Sequence, residues 1–286
     1  MSFGRWTRRK FLATATALGL ATAGFAGAEK NGLQLIQLDL VHPSLPPGLD
    51  GLKIAYLTDL HVANFYGPEL AEAAVRMANR SGAHLALLGG DLIHDWAEPD
   101  ELKATAEAFT HLEAPLGRFG VLGNHDIWAG ESGDKVERAM TDVGVPILRN
   151  QGQLIQYNGE KLWLAGVDDC WVGRPDLAVA LRDKPAGVPT LLLAHEPDWA
   201  DDALQVAGDN LLFQLSGHSH GGQVRLPGIG PVALPTGGKK YPMGLYTVGA
   251  HGLQLYTSRG IGFTTAPIRY GCPQEVTLVT LRRGVG

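Results

Sequence analysis

Short apolar runs that each end in a polar turn recur along this chain of 286 residues, and they constrain its fold more than any other feature. In the first half these runs alternate with segments of helical pattern, an order typical of βαβ units with parallel strands. We predict strands over residues 52–58, 84–88 and 119–122, and helices over residues 68–80, 99–112 and 134–143.

The second half of the chain is richer in strand patterns. Asn158-Gly159 is a strong turn pair between two apolar runs, and it predicts a hairpin. Continuous or alternating apolar runs mark the remaining strands. The predicted fold class is therefore α/β, with further strands over residues 154–157, 161–167, 190–194, 211–215, 253–257 and 276–281.

Five of the predicted strands end in side chains that are able to bind metal ions. Sites in open α/β sheets form beyond the carboxyl ends of the strands. Each such residue alone is explained more simply as a turn or cap residue, but five coincidences in one chain are hard to dismiss. The donors are imidazole, carboxylate and amide groups without a thiolate, a set that favours Zn, Mn or Fe over Ca. The candidate metal ligands are Asp59, His61, Asp91, Asn124, His195, His218 and His220.

The same positions, taken in order, resemble the motif set of the calcineurin-like metallophosphoesterases. The resemblance implies that family's fold, a four-layer α-β-β-α sandwich with two central mixed sheets. It also implies hydrolysis of a phosphoester by two divalent metal ions (Mn, Zn or Fe). The matching motifs are Asp59-x-His61, Gly90-Asp91, Gly123-Asn124-His125-Asp126, His195 and Gly217-His218-Ser219-His220.

The family resemblance also implies a role for each residue of the site. Asp91 would bridge the two metals, and a hydroxide between the metals would attack phosphorus. His125 would be the catalytic residue that stabilises the transition state or protonates the leaving group. Asp126 would orient His125 or a ligand, or would serve only as a surface turn residue. The implied ligand sets are Asp59, His61, Asp91 and His220 for one metal, and Asp91, Asn124, His195 and His218 for the other.

A finer resemblance concerns the segments that follow the last motif. Residues 217–223 and 258–262 are similar to a bacterial exported phosphodiesterase subgroup. That subgroup is related to the Bacillus wall-associated phosphoesterase and the chlamydial UDP-diacylglucosamine pyrophosphatase. The resemblance favours a diester substrate.

The first 28 residues have the three-part plan of a secretory signal, with a basic start, an apolar run and a small-residue site ending at Ala28. Arg8-Arg9 before Phe11-Leu12 resembles a twin-arginine (Tat) signal. We therefore expect export by the Tat machinery to the periplasm, the outer face of the membrane or the cell wall. The alternative is an uncleaved membrane anchor. The predicted divisions are 1–28, the signal; 29–51, an N-terminal strand and linker packed on the core; and 52–286, the metallophosphoesterase domain.

The charge balance argues against nucleic acid as a partner. Residues 1–28 carry four of the 24 basic residues and no acidic residue, which leaves 20 basic against 29 acidic residues in the remainder. Neutralising phosphates of a nucleic acid requires clustered Lys and Arg, so we expect no nucleic-acid binding. The expected partner is a small-molecule, lipid or wall phosphoester, with peripheral membrane or wall contact at the basic pair Lys239-Lys240.

Several other side chains have two possible interpretations. Cys170 and Cys272 are either a disulfide or two free thiols. Trp96, Trp128 and Trp171 in loops either pack simply or form an apolar wall for a nucleobase, sugar or acyl chain. Basic residues outside the motifs are able to contact a second phosphate or an anionic head group, and most other histidines are expected to be structural or exposed. These basic residues are Arg174, Lys239, Lys240, Arg259 and Arg269, and the histidines are His42, His84, His94, His111 and His251. His94 and Asp95 follow Asp91 closely enough to border the site.

The predicted function is metal-dependent hydrolysis of a phosphodiester. A phosphomonoesterase or a nucleotide or UDP-sugar-lipid pyrophosphatase would share the same ligands. A non-catalytic scaffold of the same fold is the alternative from another class, and such a scaffold should lack several ligands.

Overall fold

Two mixed β-sheets form the centre of the fold in the computed structural model, which describes residues 32–284. The predicted signal and its cleavage site at Ala28 lie outside the described residues. The strands are β1 Gln34–His42, β2 Lys53–Leu57, β3 Leu85–Leu88, β4 Arg118–Gly120, β5 Gln151–Tyr157, β6 Glu160–Gly166, β7 Thr190–Leu193, β8 Leu211–Ser216, β9 Arg225–Leu226, β10 Gly230–Pro231, β11 Gly244–Val248, β12 Leu253–Thr257 and β13 Glu275–Arg283.

Helices connect the strands mainly in the first half of the chain. Short 3-10 turns at Pro47–Leu49, Glu131–Gly133, Pro197–Trp199, Gly208–Asn210 and His220–Gly222 complete the connections. The α-helices are α1 Glu69–Arg80, α2 Pro99–Phe109, α3 Asn124–Trp128, α4 Asp134–Asp142, α5 Leu177–Ala180 and α6 Ala200–Ala207.

Each of the two large sheets mixes parallel and antiparallel neighbours. The first sheet has the order β1-β13-β2-β3-β4, in which only the β13–β2 pair is antiparallel. The second has the order β11-β12-β8-β7-β6-β5, with antiparallel pairs at its two edges and a parallel centre. The carboxyl ends of β2, β3 and β4 therefore lie along one edge of the first sheet, and those of β7 and β8 along one edge of the second.

The alternation of side chains along the strands builds four layers. In β2, Ile54 and Tyr56 belong to the apolar core between the two sheets, whereas Ala55 and Leu57 join the core beneath α1, α2 and α4. β6 in the second sheet behaves in the same way, because Leu164 faces the first sheet and its neighbours pack with α5 and α6. Side chains that alternate with a period of two between two apolar cores require helices on both outer faces.

Helix α1 shows how the outer layers form. Its buried residues recur every three or four positions, so that they make one apolar stripe on the helix. Glu69 and Glu72 lie in its first turn and Arg80 in its last, which matches the helix dipole at both ends. The stripe packs on the first sheet and consists of Leu70, Ala71, Ala74, Val75 and Ala78.

The predicted α/β class with two mixed sheets is confirmed. The predicted strands and helices are all present, although most boundaries move by one to three residues; for example, β4 ends at Gly120 instead of residue 122. The sequence patterns did not indicate α3, α5, α6, β11 or the β9–β10 ribbon, each of which spans eight residues or fewer. Cys170 and Cys272 are free thiols, so the disulfide alternative is wrong for this structure. Within residues 32–284, no helix combines the length and the apolar character that crossing a bilayer requires.

The core between the sheets should dominate stability. We expect Leu164→Ala to lower the free energy of unfolding by about 2–5 kcal/mol, because Leu164 is fully buried and the cavity cannot close completely. Leu245→Ala on β11 is the matched control, since Leu245 is 44% exposed, and should change stability by no more than about 0.5 kcal/mol. Urea denaturation of both variants checks this, and equal losses would contradict the layer assignment.

Candidate metal centre

The seven predicted ligands converge where the carboxyl ends of the two sheets meet. Three strands of the first sheet and two of the second deliver them, and each ligand is at most 5% exposed. The loops after β2 and β3 continue side by side, because Asp59 N donates to Gly90 O at 2.9 Å and His61 N donates to Asp91 O at 3.0 Å. The sheet edges therefore fix the backbone from which the ligands project.

One cluster consists of Asp59, His61 and His220, whose candidate donor atoms all lie within 4.8 Å of one another. His61 Nε2 is 3.0 Å from His220 Nε2, and His220 Nε2 is 3.3 Å from Asp59 Oδ1. The Asp59 carboxylate is held on both sides, because Thr58 Oγ1 donates to Oδ2 and His218 N donates to Oδ1, each at 2.8 Å. Three of the four residues of the first predicted ligand set thus lie around one point.

The second cluster consists of Asp91, His195 and His218, again with donor atoms within 4.8 Å. Asp91 Oδ2 is 3.1 Å from His195 Nε2, and it is also 3.5 Å from His61 Nε2 of the first cluster. Asp91 Oδ1 accepts from His125 N at 2.8 Å. Asp91 therefore stands between the two clusters, which is the position that a bridging carboxylate requires.

Asn124 and the neighbouring Gly123 show that the site suits cations. The buried Oδ1 of Asn124 has no hydrogen-bond partner within the described part of the chain, which is unfavourable unless a cation takes that place. A Cβ on Gly123 would collide with the Asp91 carboxylate and lie 2.7 Å from His195 Nε2. An unpartnered acceptor, a glycine that keeps the site open and a set of N and O donors together fit two divalent metal ions.

Hydrogen bonds at the outer nitrogens fix the tautomers of two histidines. His195 Nδ1 lies 2.7 Å from Gly89 O, and His218 Nε2 lies 2.8 Å from Thr236 O. A carbonyl oxygen only accepts, so each of these nitrogens donates, and in the neutral ring the other nitrogen holds the lone pair. This arrangement prepares both imidazoles to bind a metal.

Burial keeps most of the imidazoles neutral. It lowers the pKa of His61 and of His220 well below the usual value for imidazole. Burial, together with the charge of His195, lowers the pKa of His218 to about 4. Neutral imidazoles are the form that binds metals, so these three side chains need to lose no proton at neutral pH.

The two buried carboxylates differ in their electrostatics. Burial raises the pKa of Asp59 to about 6. Burial also acts to raise the pKa of Asp91, but His195, His125 and His61 outweigh it and hold that pKa well below its usual range. Asp91 is therefore ionised. Burial acts to lower the pKa of His195, but Asp91 outweighs it and raises that pKa well above the usual value, so a cation would take the place of the proton on Nε2.

Five of the seven ligands have a left-handed backbone. Non-glycine residues rarely adopt positive φ, and such strain persists only where the surrounding structure enforces it, often at functional sites. Here the enforcement comes from the sheet edges and from backbone hydrogen bonds between the loops. The five are Asp59 (φ 55°), His61 (47°), Asp91 (51°), His218 (67°) and His220 (49°).

Asp126 ties two ligand loops together. Its fully buried carboxylate accepts from Leu92 N at 2.9 Å and Ile93 N at 3.2 Å through Oδ1, and from Gly123 N at 2.9 Å through Oδ2. The loops that carry Asp91 and Asn124 are thereby joined. The surface-turn interpretation of Asp126 is wrong, and its contacts are with backbone amides rather than with His125.

His125 lies at the open side of the clusters, next to Asp95 and His94. His125 Nδ1 is 3.2 Å from Asp95 Oδ1, and the ring stacks on His94 at 4.3 Å between centroids. His94 is buried, with Nε2 3.1 Å from Asp95 Oδ1 and Nδ1 3.1 Å from His61 Nδ1. His94 is therefore part of the site, and its spacing of three residues from Asp91 was the only sequence signal.

The other histidines and arginines considered in the sequence analysis mostly have roles other than binding a substrate or a metal. His84 Nδ1 accepts from Lys53 N and has a structural role, whereas His111 is exposed. Arg259 pairs with the buried Glu275, and Arg269 donates to backbone carbonyls while its Nη2 lies 3.1 Å from His220 Nδ1. These two arginines serve internal contacts, so the expectation that they bind a second phosphate is not supported.

Comparison with known proteins agrees with this geometry. A family model described as calcineurin-like phosphoesterase matches residues 52–222, which include all seven ligands. The metallophosphoesterase YkuE of Bacillus subtilis is 32% identical over 288 residues, covering 97% of this chain and 98% of the relative. The phosphodiesterase YaeI of Escherichia coli is 31% identical over 284 residues, covering 96% and 99%. The chain belongs to the calcineurin-like phosphoesterase family.

Proposed function

We propose that this metallophosphoesterase hydrolyses phosphodiesters with two divalent metal ions (Mn, Zn or Fe). The observation that carries the proposal is the position of Asp91 Oδ2, 3.1 Å from His195 Nε2 in one cluster and 3.5 Å from His61 Nε2 in the other. The similarity to a relative named as a phosphodiesterase, at 31% identity over nearly the full length of both chains, supports the choice of a diester.

The site residues divide into metal ligands and one proton donor. Two bound cations would supply Lewis-acid chemistry, which lowers the pKa of a water molecule and neutralises charge on the phosphoryl oxygens. His125 stands beside both clusters and is the only site histidine outside the two ligand sets that remains partly exposed, so we assign it to the proton of the leaving oxygen. Asp95 orients the His125 ring through Nδ1 and leaves Nε2 for the substrate. The ligands would be Asp59, His61, Asp91 and His220 for one ion, and Asp91, Asn124, His195 and His218 for the other.

Two variants should separate metal binding from proton transfer. Asp91→Ala removes the shared carboxylate, so we expect fewer than two metal ions per chain and a loss of activity of at least about 10³-fold. His125→Gln should keep the metal content of the wild type and lower kcat by about 10²- to 10⁴-fold, the usual contribution of a general acid. Elemental analysis and steady-state kinetics measure both quantities.

The exposed Asp209→Ala is the matched control for the removal of a carboxylate, and it should change neither quantity. Full activity in Asp91→Ala would refute the shared-carboxylate assignment. Loss of metal from His125→Gln would instead make His125 a ligand.

The choice of a diester is tested by a pair of chromogenic substrates. We expect kcat/KM for bis-p-nitrophenyl phosphate to exceed that for p-nitrophenyl phosphate by at least about tenfold, a difference of roughly 1.4 kcal/mol in transition-state stabilisation. The comparison uses one leaving group, so leaving-group chemistry cannot produce the difference. A clear preference for the monoester would replace the diesterase assignment with a phosphatase.

We also propose that the Tat machinery exports the protein, on the basis of Arg8-Arg9 before a weakly apolar run. Changing both arginines to lysine should retain the full-length precursor in the cytoplasm, because the paired arginines are the recognition signal. Arg5→Lys keeps the pair and should leave export unchanged. Cell fractionation and immunoblotting measure the distribution, and export of the double variant at the wild-type level would contradict the proposal.

A further inference from the structure

Two exposed tryptophans form a continuous surface beside the metal centre. Trp128 and Trp171 are 43% and 45% exposed, and their ring centroids are 5.3 Å apart in an edge-to-face arrangement. Trp128 lies 5.0 Å from the ring of His125, and Trp171 lies 5.7 Å from the ring of His218. The pair, called here the tryptophan wall, therefore reaches from the assigned proton donor to a metal ligand.

Buried carboxylates hold the loop that carries Trp171. Asp169 is fully buried, and its Oδ1 accepts from Trp171 N at 3.0 Å and from Val172 N at 2.7 Å. Glu196, which follows the ligand His195, is also buried and accepts from Cys170 N at 2.8 Å through Oε2. Burying two carboxyl groups is unfavourable, yet here both stabilise a loop that presents an indole to solvent.

Trp128 is held by secondary structure. It is the last residue of α3, the short helix that begins at the ligand Asn124. The helix therefore sets the distance between the metal centre and the indole. Trp128 is attached to the segment that begins at Asn124, and the loop of Trp171 is bound by Glu196, the residue after His195, so the wall and the metal ligands keep a fixed relative position.

Simple packing does not explain this pair. Trp163 shows what packing alone produces, because it is only 6% exposed and its Nε1 donates to Ala180 O at 2.9 Å. Trp128 and Trp171 instead leave nearly half of each side chain open beside a catalytic centre. Exposed indole next to a site that binds a phosphoryl group provides apolar surface for whatever is attached to that group.

We propose that the tryptophan wall is a subsite for an apolar substituent of the phosphoester. This inference rests on the proposed function and narrows its substrate class to phosphoesters that carry an aromatic ring or a hydrocarbon chain. Neither residue of the wall carries a charge, which disfavours a second phosphate at this position. Removing the substituent and the exposed indole faces from water stabilises the complex in proportion to the apolar area buried.

Three phosphonates that share one head group test the subsite. Methylphosphonate, phenylphosphonate and octylphosphonate each place a phosphonate at the metals, while only the latter two extend an apolar group. Isothermal titration calorimetry on the metal-loaded protein measures their dissociation constants. We expect phenylphosphonate or octylphosphonate to bind at least about tenfold more tightly than methylphosphonate, and the tighter of the two identifies a ring or a chain as the substituent.

Variants of the wall then assign the gain in affinity. Trp171→Ala and Trp128→Ala should each remove most of that gain, while the metal content and the affinity for methylphosphonate stay within about twofold of wild type. Val206→Ala on α6 is the control, because Val206 is 52% exposed and belongs to no part of the site. It should leave all three dissociation constants unchanged.

The outcomes separate this inference from the proposed function. If methylphosphonate binds and the apolar groups add nothing, or if the gain survives in both tryptophan variants, the subsite is refuted while the proposed function stands. If none of the phosphonates binds the metal-loaded protein, the proposed function fails and the subsite fails with it.

Discussion

The burial of Asp59 and Asp91 beside each other is the constraint on which the rest of the site depends. Removing two carboxylates from water at one place is strongly unfavourable unless positive charge compensates them. Among the described histidines of the site, burial keeps His61 and His220 neutral, whereas at His195 the carboxylate of Asp91 outweighs burial and raises the pKa well above its usual value. Divalent cations are the compensation that this arrangement requires, and the neutral imidazoles are the ligands that would accept them.

The backbone around these carboxylates is strained, and this strained conformation positions the ligand side chains at the expense of local stability. Residues with φ near 50° carry side chains at Asp59, Asp91 and His220, where glycine would be less strained. Close packing also requires glycine at two positions, because a side chain would not fit there. A Cβ on Gly262 would collide with Leu60 O, and a Cβ on Gly217 would collide with the Asp59 carboxylate. The sheets stabilise the fold and thereby hold the strained loops beyond their ends.

The sequence allowed prediction of whatever depends on local pattern. Apolar runs bounded by turns predicted the strands, and ligands next to strand ends predicted the metal centre, because the carboxyl ends of parallel strands meet at one edge. Features that depend on the path of a loop were predictable only in part. The position of His94 shortly after Asp91 indicated that it borders the site, but not that its Nδ1 lies 3.1 Å from His61 Nδ1. Two of the three backbone amides that donate to Asp126 are more than 30 residues away, and no local pattern indicates them.

Long-range pairing set a second limit on prediction. Arg259 and Arg269 look like free cations in the sequence, but Glu275 and a set of backbone carbonyls bind them in the fold. Their charges are therefore directed inward and help to shape the loops beside His220. The pairing of Gln34 with Glu275, between the first and last strands of the sheet, is likewise a contact between residues 241 positions apart with no local signal.

The metal centre and the tryptophan wall differ in what they determine. The ligands act on the phosphoryl group, which is the same in every phosphoester, so they decide the reaction and leave the substrate open. Discrimination between substrates has to come from groups that touch what differs among them. Beside this centre Arg259 and Arg269 are engaged in internal contacts, while the indoles of Trp128 and Trp171 are exposed. The tryptophan wall therefore offers apolar surface that would select a substrate through burial of its apolar part.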